Sequence, residues 1–361
     1  MIAVILAGVI SLLYTLVLTP LFVKGFRKLE WGQFIREDGP KSHYAKRGTP
    51  TMGGIVFVTG AVFAYFVAKA IMGETPTVSA LLVILMSVGC GIVGFVDDYM
   101  KTLKQQSLGL GGWAKITGQV AVGVAFALIA LNFPNEHGVT PASTSISLFR
   151  DTAFDLMAAG TIIGLILFIL WVVFIATATS NSVNLTDGLD GLAAGTSIFV
   201  FISYIIIGFW QFSQSCFAGL EPGCYEVRDP MDLVVIAAAF TGAIIGFLWW
   251  NTSPALLYMG DTGSMAIGGA IAALAILTKT ELLLIVLGGV FIMETLSVIL
   301  QRLFFKVTGG KRIFRMSPIH HHFELGGWPE VTVVVRFWIM AGILALSGVG
   351  MFYGEWLIIN D

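Results

Sequence analysis

Five short polar segments interrupt a chain that is otherwise strongly apolar, and they carry the side chains best suited to chemistry. They span residues 48–54, 94–99, 181–191, 251–263 and 317–324. Together they hold several carboxylates and amides and a run of three histidines. Carboxylates bind divalent cations, and imidazoles bind phosphate or transfer protons near neutral pH. These segments therefore predict a site for a phosphorylated substrate.

Two adjacent carboxylates, Asp97 and Asp98, are predicted at the end of an apolar helix. Like charges repel, and the C-terminus of a helix is an unfavourable place for an acid. Mg²⁺ would offset both effects, because it prefers hard oxygen ligands. Lys101 follows Asp97 by four residues, so a phosphate and a metal could be held side by side if the helix continues. A solvated helix end is the alternative interpretation.

Three polar residues, Asn184, Asp187 and Asp190, recur at intervals of three. On a helical turn they would share one face, and Gly188 would let a ligand approach the backbone closely. A simple helix N-cap is the alternative. Asp261 could also be a cap, but the acids of the matching segments favour metal binding or catalysis for it.

Three of the five histidines are consecutive: His320, His321 and His322. Neighbouring residues on a helix point about 100° apart, which makes a poor zinc site without outside ligands. Hydrogen bonding to phosphate and proton transfer suit them better. Glu294 is a carboxylate inside an apolar run, where acids are usually paired or functional, and Arg336 is a possible partner.

The elements that position these residues are predicted to be membrane-spanning helices. Hydrophobic residues make up 57% of the chain and charged residues 12%, with a mean hydropathy of +0.88. A soluble domain has about 25% charged residues, and a helix needs about 20 apolar residues to cross a bilayer. We predict an all-α, polytopic membrane protein with one domain over 1–361 and about ten spans, near 2–23, 51–68, 78–96, 114–133, 160–179, 192–210, 233–250, 263–278, 282–301 and 333–353.

The distribution of positive charge predicts the orientation. Sixteen of the twenty Lys and Arg residues lie in the first, third and ninth loops or at the start of the last span. Lys and Arg accumulate in cytoplasmic loops, so the odd loops should be cytoplasmic and both termini outside. All five polar segments then share the cytoplasmic face. The net charge of −2 provides no field that would attract nucleic acid.

The cysteines and the absence of two common nucleotide-binding motifs also bear on the prediction. Cys90 lies in an apolar run and should pack as a small hydrophobic residue. Cys216 and Cys224 share an outside loop, where they could form a disulfide or remain free. Neither a Walker P-loop nor a Rossmann fingerprint occurs, so any nucleotide is bound in another way.

The motifs GTPTMGG, GFVDDY, NSVNLTDGLDGL, NTSPALLYMGDTGS and SPIHHHFE resemble those of the phospho-N-acetylmuramoyl-pentapeptide transferase family of bacterial cell-wall synthesis. They occur in order over most of the chain. The resemblance implies ten spans with both ends outside, in the bacterial cell membrane. It also implies transfer of phospho-MurNAc-pentapeptide from UDP-MurNAc-pentapeptide to undecaprenyl phosphate, with lipid I and UMP as products, a requirement for Mg²⁺ and frequent dimerisation.

The resemblance also assigns residues. The family's essential acids correspond to Asp97, Asp98 and Asp261, and its histidine motif to His320, His321 and His322. We take Asp261 as the first metal ligand and Asp187 as a second. The nucleoside pocket would comprise Lys46, Gly188, Leu189, Asp190, Asn251 and Tyr258, and the adjacent cleft would be lined by Asn184, Asp187, Lys101, Lys115 and Gln301.

Two other functions compete with this prediction. Relatives of the family transfer phospho-N-acetylglucosamine to the same lipid and share the paired acids. A secondary transporter would also carry intramembrane acids and Gly breaks. Transporters, however, bind substrate near the midplane of the bilayer, whereas these polar segments lie at one face.

Overall fold

The computed structural model describes residues 1–29, 31–32, 48–105, 109–217 and 223–360. Its secondary structure is almost wholly helical, which confirms the predicted all-α class. The helices are α1 Ile2–Lys28, α2 Gly54–Met72, α3 Val78–Leu103, α4 Gly112–Ala130, α5 Thr161–Thr186, α6 Leu192–Ser213, α7 Pro230–Asn251, α8 Gly260–Leu277, α9 Leu284–Leu287, α10 Gly289–Val307, α11 Ile319–Glu324 and α12 Glu330–Asn360. A short hairpin pairs β1 Ser145–Ser147 with β2 Asp151–Asp155 in antiparallel fashion.

Nine of the described helices, α1 to α8 and α12, are long and apolar enough to cross a membrane. The predicted span 282–301 differs, because the chain breaks at Gly288 between α9 and α10. Helix α10 then continues to Val307 and carries the charged residues Glu294, Arg302 and Lys306. The predicted ninth span is therefore divided into two helical segments, and neither is among the nine apolar helices.

Helix α8 occupies the centre of the bundle, although its hydropathy of 1.4 is the lowest of the nine. Of its 18 residues, 89% are buried. A Cβ on Gly268 would lie 2.3 Å from Ser180 Cα, and one on Gly269 would lie 2.6 Å from the Met86 oxygen. Small residues allow such close helix packing. Because protein rather than lipid surrounds α8, the helix does not need a strongly apolar surface.

The hairpin lies at the end of the bundle away from the paired acids. The Ser147 backbone N–H donates to buried Glu281, with an N–O distance of 2.8 Å. Arg150 Nε lies 2.9 Å from Glu355 Oε1 on α12. Strands of three and five residues are too short to leave a clear alternating pattern in the sequence, and the hairpin was not predicted.

The structure shows which cysteines form a disulfide and which one is free. Cys216 and Cys224 form a disulfide, with Cα atoms 4.9 Å apart. Cys90 is free and fully buried on α3, as predicted for a small packed residue.

Candidate active site

Three carboxylates meet where α3 packs against the start of α8. Asp97 and Asp98 lie on α3 and Asp261 lies in the first turn of α8. One oxygen from each lies within 4.8 Å of the others. The predicted helix end at the paired acids is wrong, because α3 continues to Leu103. This continuation places the pair inside a helix, where both side chains are buried.

Two glycines allow the helices to approach this closely. A Cβ on Gly94 would lie 2.1 Å from the Asp261 carbonyl oxygen, and one on Gly260 would lie 2.5 Å from Asp98 Oδ2. Gly260 also has a φ of 71°, which other residues rarely adopt. Asp98 Oδ2 accepts hydrogen bonds from the Thr262 backbone N–H at 2.9 Å and its hydroxyl at 2.8 Å. Asp98 thus caps α8 from a neighbouring helix.

Two lysines neutralise much of this negative charge. Lys101 Nζ lies 2.5 Å from Asp97 Oδ2 and 3.1 Å from Asp261 Oδ2. Lys115 Nζ, from α4, lies 3.0 Å and 2.5 Å from the same two oxygens. Lys101 and Asp97 share one helical face, as their four-residue spacing predicts. With three carboxylates and two ammonium groups, this centre has one negative charge in excess.

The predicted helical face of three polar residues does not form. Asn184 lies on α5 and donates to Asp261 Oδ1 at 2.9 Å, but α5 ends at Thr186. Asp187 follows the helix as its C-cap. Asp190 lies in the next turn, where Oδ2 accepts from the Ala255 N–H at 3.0 Å. The three side chains therefore come from a helix, a cap and a turn.

Asp187 lies close to the carboxylate centre. Burial in the cleft, followed by the negative charges of Asp261 and Asp98, raises the pKa of Asp187 well above its usual value. Its carboxylate is nevertheless outside the group of three that meet within 4.8 Å, among the residues that the structure describes.

Asn251 joins two of the polar segments. Its Oδ1 accepts from the Gly191 N–H at 3.1 Å, and its Nδ2 donates to the Leu257 carbonyl at 2.9 Å. The side chain is only 3% exposed. Its observed contacts therefore hold the 188–191 turn against the 251–258 segment.

The other residues predicted for the nucleoside pocket are placed around this junction. Leu189 is buried against residues of α12, whereas Gly188 is exposed. The Tyr258 backbone N–H donates to the Pro50 carbonyl at 2.8 Å, which brings the 48–54 segment alongside. Lys46 lies outside the described residues.

Gln301 fixes the chain that follows α10. Its Oε1 accepts from the N–H groups of Ile313 and Phe314, both at 3.0 Å, and its Nε2 donates to the Phe314 carbonyl at 3.1 Å. All three contacts are to backbone, so Gln301 holds the segment that leads to the histidines.

The three histidines have different surroundings on α11. His320 is fully buried, and its Nδ1 lies 3.1 Å from Glu294 Oε2. His321 Nδ1 lies 2.6 Å from Glu324 Oε2. His322 Nδ1 accepts from the Arg315 N–H at 3.0 Å. In the described structure the three histidines thus contact residues of α10, of α11 and of the segment between these helices. None of them belongs to the cluster of three carboxylates.

The suggestion that Arg336 is the partner of Glu294 was wrong. Arg336 stacks on Trp328, with its guanidinium carbon 4.0 Å from the ring centroid. Glu294 pairs with His320 instead, because α11 folds back against α10.

Comparison with known proteins identifies the family. The model of Glycosyl transferase family 4 matches residues 80–279, more than half of the chain, and phospho-N-acetylmuramoyl-pentapeptide-transferase signature 1 matches residues 46–58. A protein of Clavibacter michiganensis subsp. michiganensis named phospho-N-acetylmuramoyl-pentapeptide-transferase is 60% identical, over 99% of this chain and all of the relative. The chain belongs to the phospho-N-acetylmuramoyl-pentapeptide transferase family.

Two further relatives of that name support the assignment. The protein of Paenarthrobacter aurescens is 55% identical over 99% of this chain and all of its own length, and that of Streptomyces avermitilis is 54% identical over 98% of each. The family predicted from the motifs is thus confirmed, and with it the transferase class. The region 80–279 includes the three clustered carboxylates.

The donor set of the centre fits a hard divalent cation. Asp97, Asp98 and Asp261 offer only oxygen atoms, at separations that one ion could bridge. Lys101 and Lys115 now lie between these carboxylates. An ion could bind between the carboxylates if the two ammonium groups turned towards substrate phosphates. The carboxylates would then pair with the ion and the lysines with the phosphates.

Two residues that hold the site together were not predicted from the sequence. Glu330 Oε1 accepts from the Asp190 N–H at 3.2 Å, and Trp338 Nε1 donates to the Gly191 carbonyl at 3.2 Å. Both lie on α12, far along the chain from the turn that they support. The acid at the start of an apolar span was a usable signal for Glu330, whereas nothing distinguished this tryptophan from other apolar residues.

Proposed function

We propose that this chain transfers phospho-MurNAc-pentapeptide from UDP-MurNAc-pentapeptide to undecaprenyl phosphate, giving lipid I and UMP, in the membrane step of peptidoglycan synthesis. One observation carries the proposal: three carboxylates and two lysines are clustered at one end of the helix bundle. Such a centre suits a diphosphate and a phosphate that must be brought together. Relatives that bear the transferase name and align over nearly the whole chain support it.

We further propose that the site faces the cytoplasm from the bacterial cell membrane, with both termini outside. The site lies where α3 and α5 end and where α4 and α8 begin. Loops at this end of the bundle carry most of the Lys and Arg residues, and positive residues favour the cytoplasmic side. The 361 residues act as one membrane domain in this proposal, and a homodimer is expected from the family resemblance.

The reaction exchanges one phosphoanhydride for another. An oxygen of undecaprenyl phosphate attacks the β-phosphorus of the nucleotide, the bond to the α-phosphate oxygen breaks, and UMP leaves. Catalysis of such a transfer depends on positioning and on charge neutralisation. Lys101 and Lys115 would turn from the carboxylates to the diphosphate, and Asp97 or Asp98 would orient or deprotonate the acceptor phosphate.

Asp261 would hold Mg²⁺, and Asp187 would be a second ligand if its carboxylate moved towards the group that Asp261 forms with Asp97 and Asp98. The bound ion would supply polarisation of the leaving oxygen. The alternative role for Asp261 is to form a covalent aspartyl intermediate. Asp98 Oδ2 is engaged by Thr262 and Asp97 Oδ1 by the Leu110 N–H, so each carboxylate has its other oxygen for the acceptor. We propose that His320, His321 and His322 take part through hydrogen bonds to phosphate or proton transfer.

The remaining predicted residues have binding roles in this proposal. The nucleoside would contact the turn and segment that Asn251 joins, and the sugar diphosphate would lie in the cleft beside α5. The residues assigned to these regions are Lys46, Gly188, Leu189, Asp190, Asn251 and Tyr258 for the nucleoside, and Lys101, Lys115, Asn184, Asp187 and Gln301 for the cleft.

A reconstituted assay tests the function. The purified protein is given undecaprenyl phosphate with UDP-MurNAc-pentapeptide or with UDP-N-acetylglucosamine, in Mg²⁺ or in EDTA. We expect lipid product and UMP only from the muramoyl nucleotide in Mg²⁺. Product from the N-acetylglucosamine nucleotide alone would indicate the related transferase. Absence of product together with solute uptake by proteoliposomes would indicate a transporter.

A single variant tests the assigned centre. Asp261→Asn should abolish turnover while the protein still folds, because the amide is nearly isosteric but lacks the negative charge. A near-normal rate for this variant would contradict the role given to Asp261.

A further inference from the structure

Glu294 and His320 form a buried pair between α10 and α11. Both side chains are 0% exposed, and Nδ1 lies 3.1 Å from Oε2. Within the described structure the carboxylate oxygens and the ring nitrogens have no hydrogen-bond partner, and Nδ1–Oε2 is their ion-pair contact. A carboxylate or an imidazole without a partner is costly inside a membrane protein. Each of these two side chains therefore supplies the partner that the other lacks.

The opposite edge of the imidazole faces the candidate active site. A Cβ on Gly188 would lie 2.3 Å from His320 Nε2, so only glycine leaves room for the ring. Gly188 is exposed and directly follows Asp187. The ring thus fills the space between α10 and the turn assigned to nucleotide binding.

We propose that Glu294 is a positioning residue that acts through His320. In this role its carboxylate, 3.1 Å from Nδ1, would accept a hydrogen bond from Nδ1–H and so fix both the rotation of the ring and the nitrogen that carries the proton. Nε2 is then the nitrogen that faces the Asp187–Gly188 turn, and the ring sets the position of that turn. This inference rests on the proposed function, since it assigns the turn to the nucleotide substrate.

Kinetic measurements on two substitutions test this role. Glu294→Leu removes the acceptor, whereas Glu294→Gln keeps an oxygen that can accept from Nδ1–H. Because a hydrogen bond to a charged group stabilises more than one between neutral groups, Glu294→Leu should lower kcat/KM for UDP-MurNAc-pentapeptide by about 10- to 100-fold. We expect the loss chiefly in KM for the nucleotide, with KM for undecaprenyl phosphate unchanged. Glu294→Gln should restore most of the activity.

A double variant separates positioning from general loss of structure. If Glu294 acts through His320, adding Glu294→Leu to His320→Asn should cause little further loss, because the two residues form one unit. Glu281→Gln is the matched control: Glu281 is also a buried glutamate, but it accepts from Ser147 at the other end of the bundle. Its kinetic constants should equal those of the wild type. Additive losses in the double variant would overturn the proposal.

A spectroscopic readout does not depend on turnover. Solid-state NMR of protein labelled with ¹⁵N-histidine reports which ring nitrogen is protonated, and His320→Asn identifies the His320 signals. We expect Nδ1 of His320 to be protonated in the wild type and in Glu294→Gln, and this signal to shift or broaden in Glu294→Leu. An unchanged signal in Glu294→Leu would overturn the inference. Failure of the wild type to make lipid product would overturn the proposed function instead, and the NMR result would still decide the role of Glu294.

Discussion

Gly94→Ala tests whether the close contact of α3 with the start of α8 sets the geometry of the carboxylates. The added Cβ would lie 2.1 Å from the Asp261 carbonyl oxygen, whereas real Cβ contacts stay beyond 3.0 Å. The obstructing atom belongs to the backbone, so no side chain can turn away to relieve the clash. The helices must separate locally by about 1 Å, a displacement that costs an enzyme on the order of 100-fold in rate.

The assay measures kcat and KM for UDP-MurNAc-pentapeptide in a series of glycine substitutions. Gly91→Ala serves as a graded comparison, because its Cβ would lie 3.1 Å from the Ala266 side chain at the same helix interface. Gly25→Ala, with nothing within 4 Å, is the control. Thermal unfolding of each variant shows whether it is folded. A folded Gly94→Ala protein with wild-type kinetics would refute the argument that this contact aligns the acids.

Three further predictions concern charge, pH and covalent structure. Lys115→Met should raise KM for the nucleotide by about 10-fold or more, because the diphosphate would lose one of the two ammonium groups that turn to it from Asp261; unchanged binding of UDP-MurNAc-pentapeptide in a titration would contradict this. Burial raises the pKa of Glu281 to about 8, so its contribution to stability should be complete below the ordinary glutamate pKa of about 4.3 and lost as the pH rises through 8. Melting temperatures across this range should show that decline in the wild type and a flatter profile in Glu281→Gln. Replacing Cys216 and Cys224 together by Ser should lower stability by about 2–3 kcal/mol through the lost loop constraint and leave kcat unchanged; a loss of kcat without a change in melting would show that the disulfide acts on the site.

The sequence predicted the helical membrane fold well, because hydropathy reports directly on which helices can lie in lipid. Hydropathy says less about where a helix ends once it has protein neighbours. The paired acids looked like the end of an apolar run, yet α3 continues to Leu103 because Lys101, Lys115 and Thr262 pair with those carboxylates.

Spacing along the chain was a weaker guide to the candidate site. The interval of three from Asn184 to Asp190 suggested one helical face, but α5 ends between them. The turn is held from outside by Asn251 and Trp338, through bonds to Gly191. Such long-range supports leave no local pattern in the sequence, so residue types could be predicted while their partners could not.

The buried position of α8 has a consequence for how the protein is made. A segment of such modest hydropathy should partition poorly into lipid when it leaves the translocon by itself. Its neighbours α3 and α5 have hydropathies of 2.4 and 2.7, and both are synthesised before it. We expect them to be embedded already when α8 emerges, so that α8 enters the bilayer against a protein surface. Packing of α8 against α3 then places Asp261 beside Asp97 and Asp98.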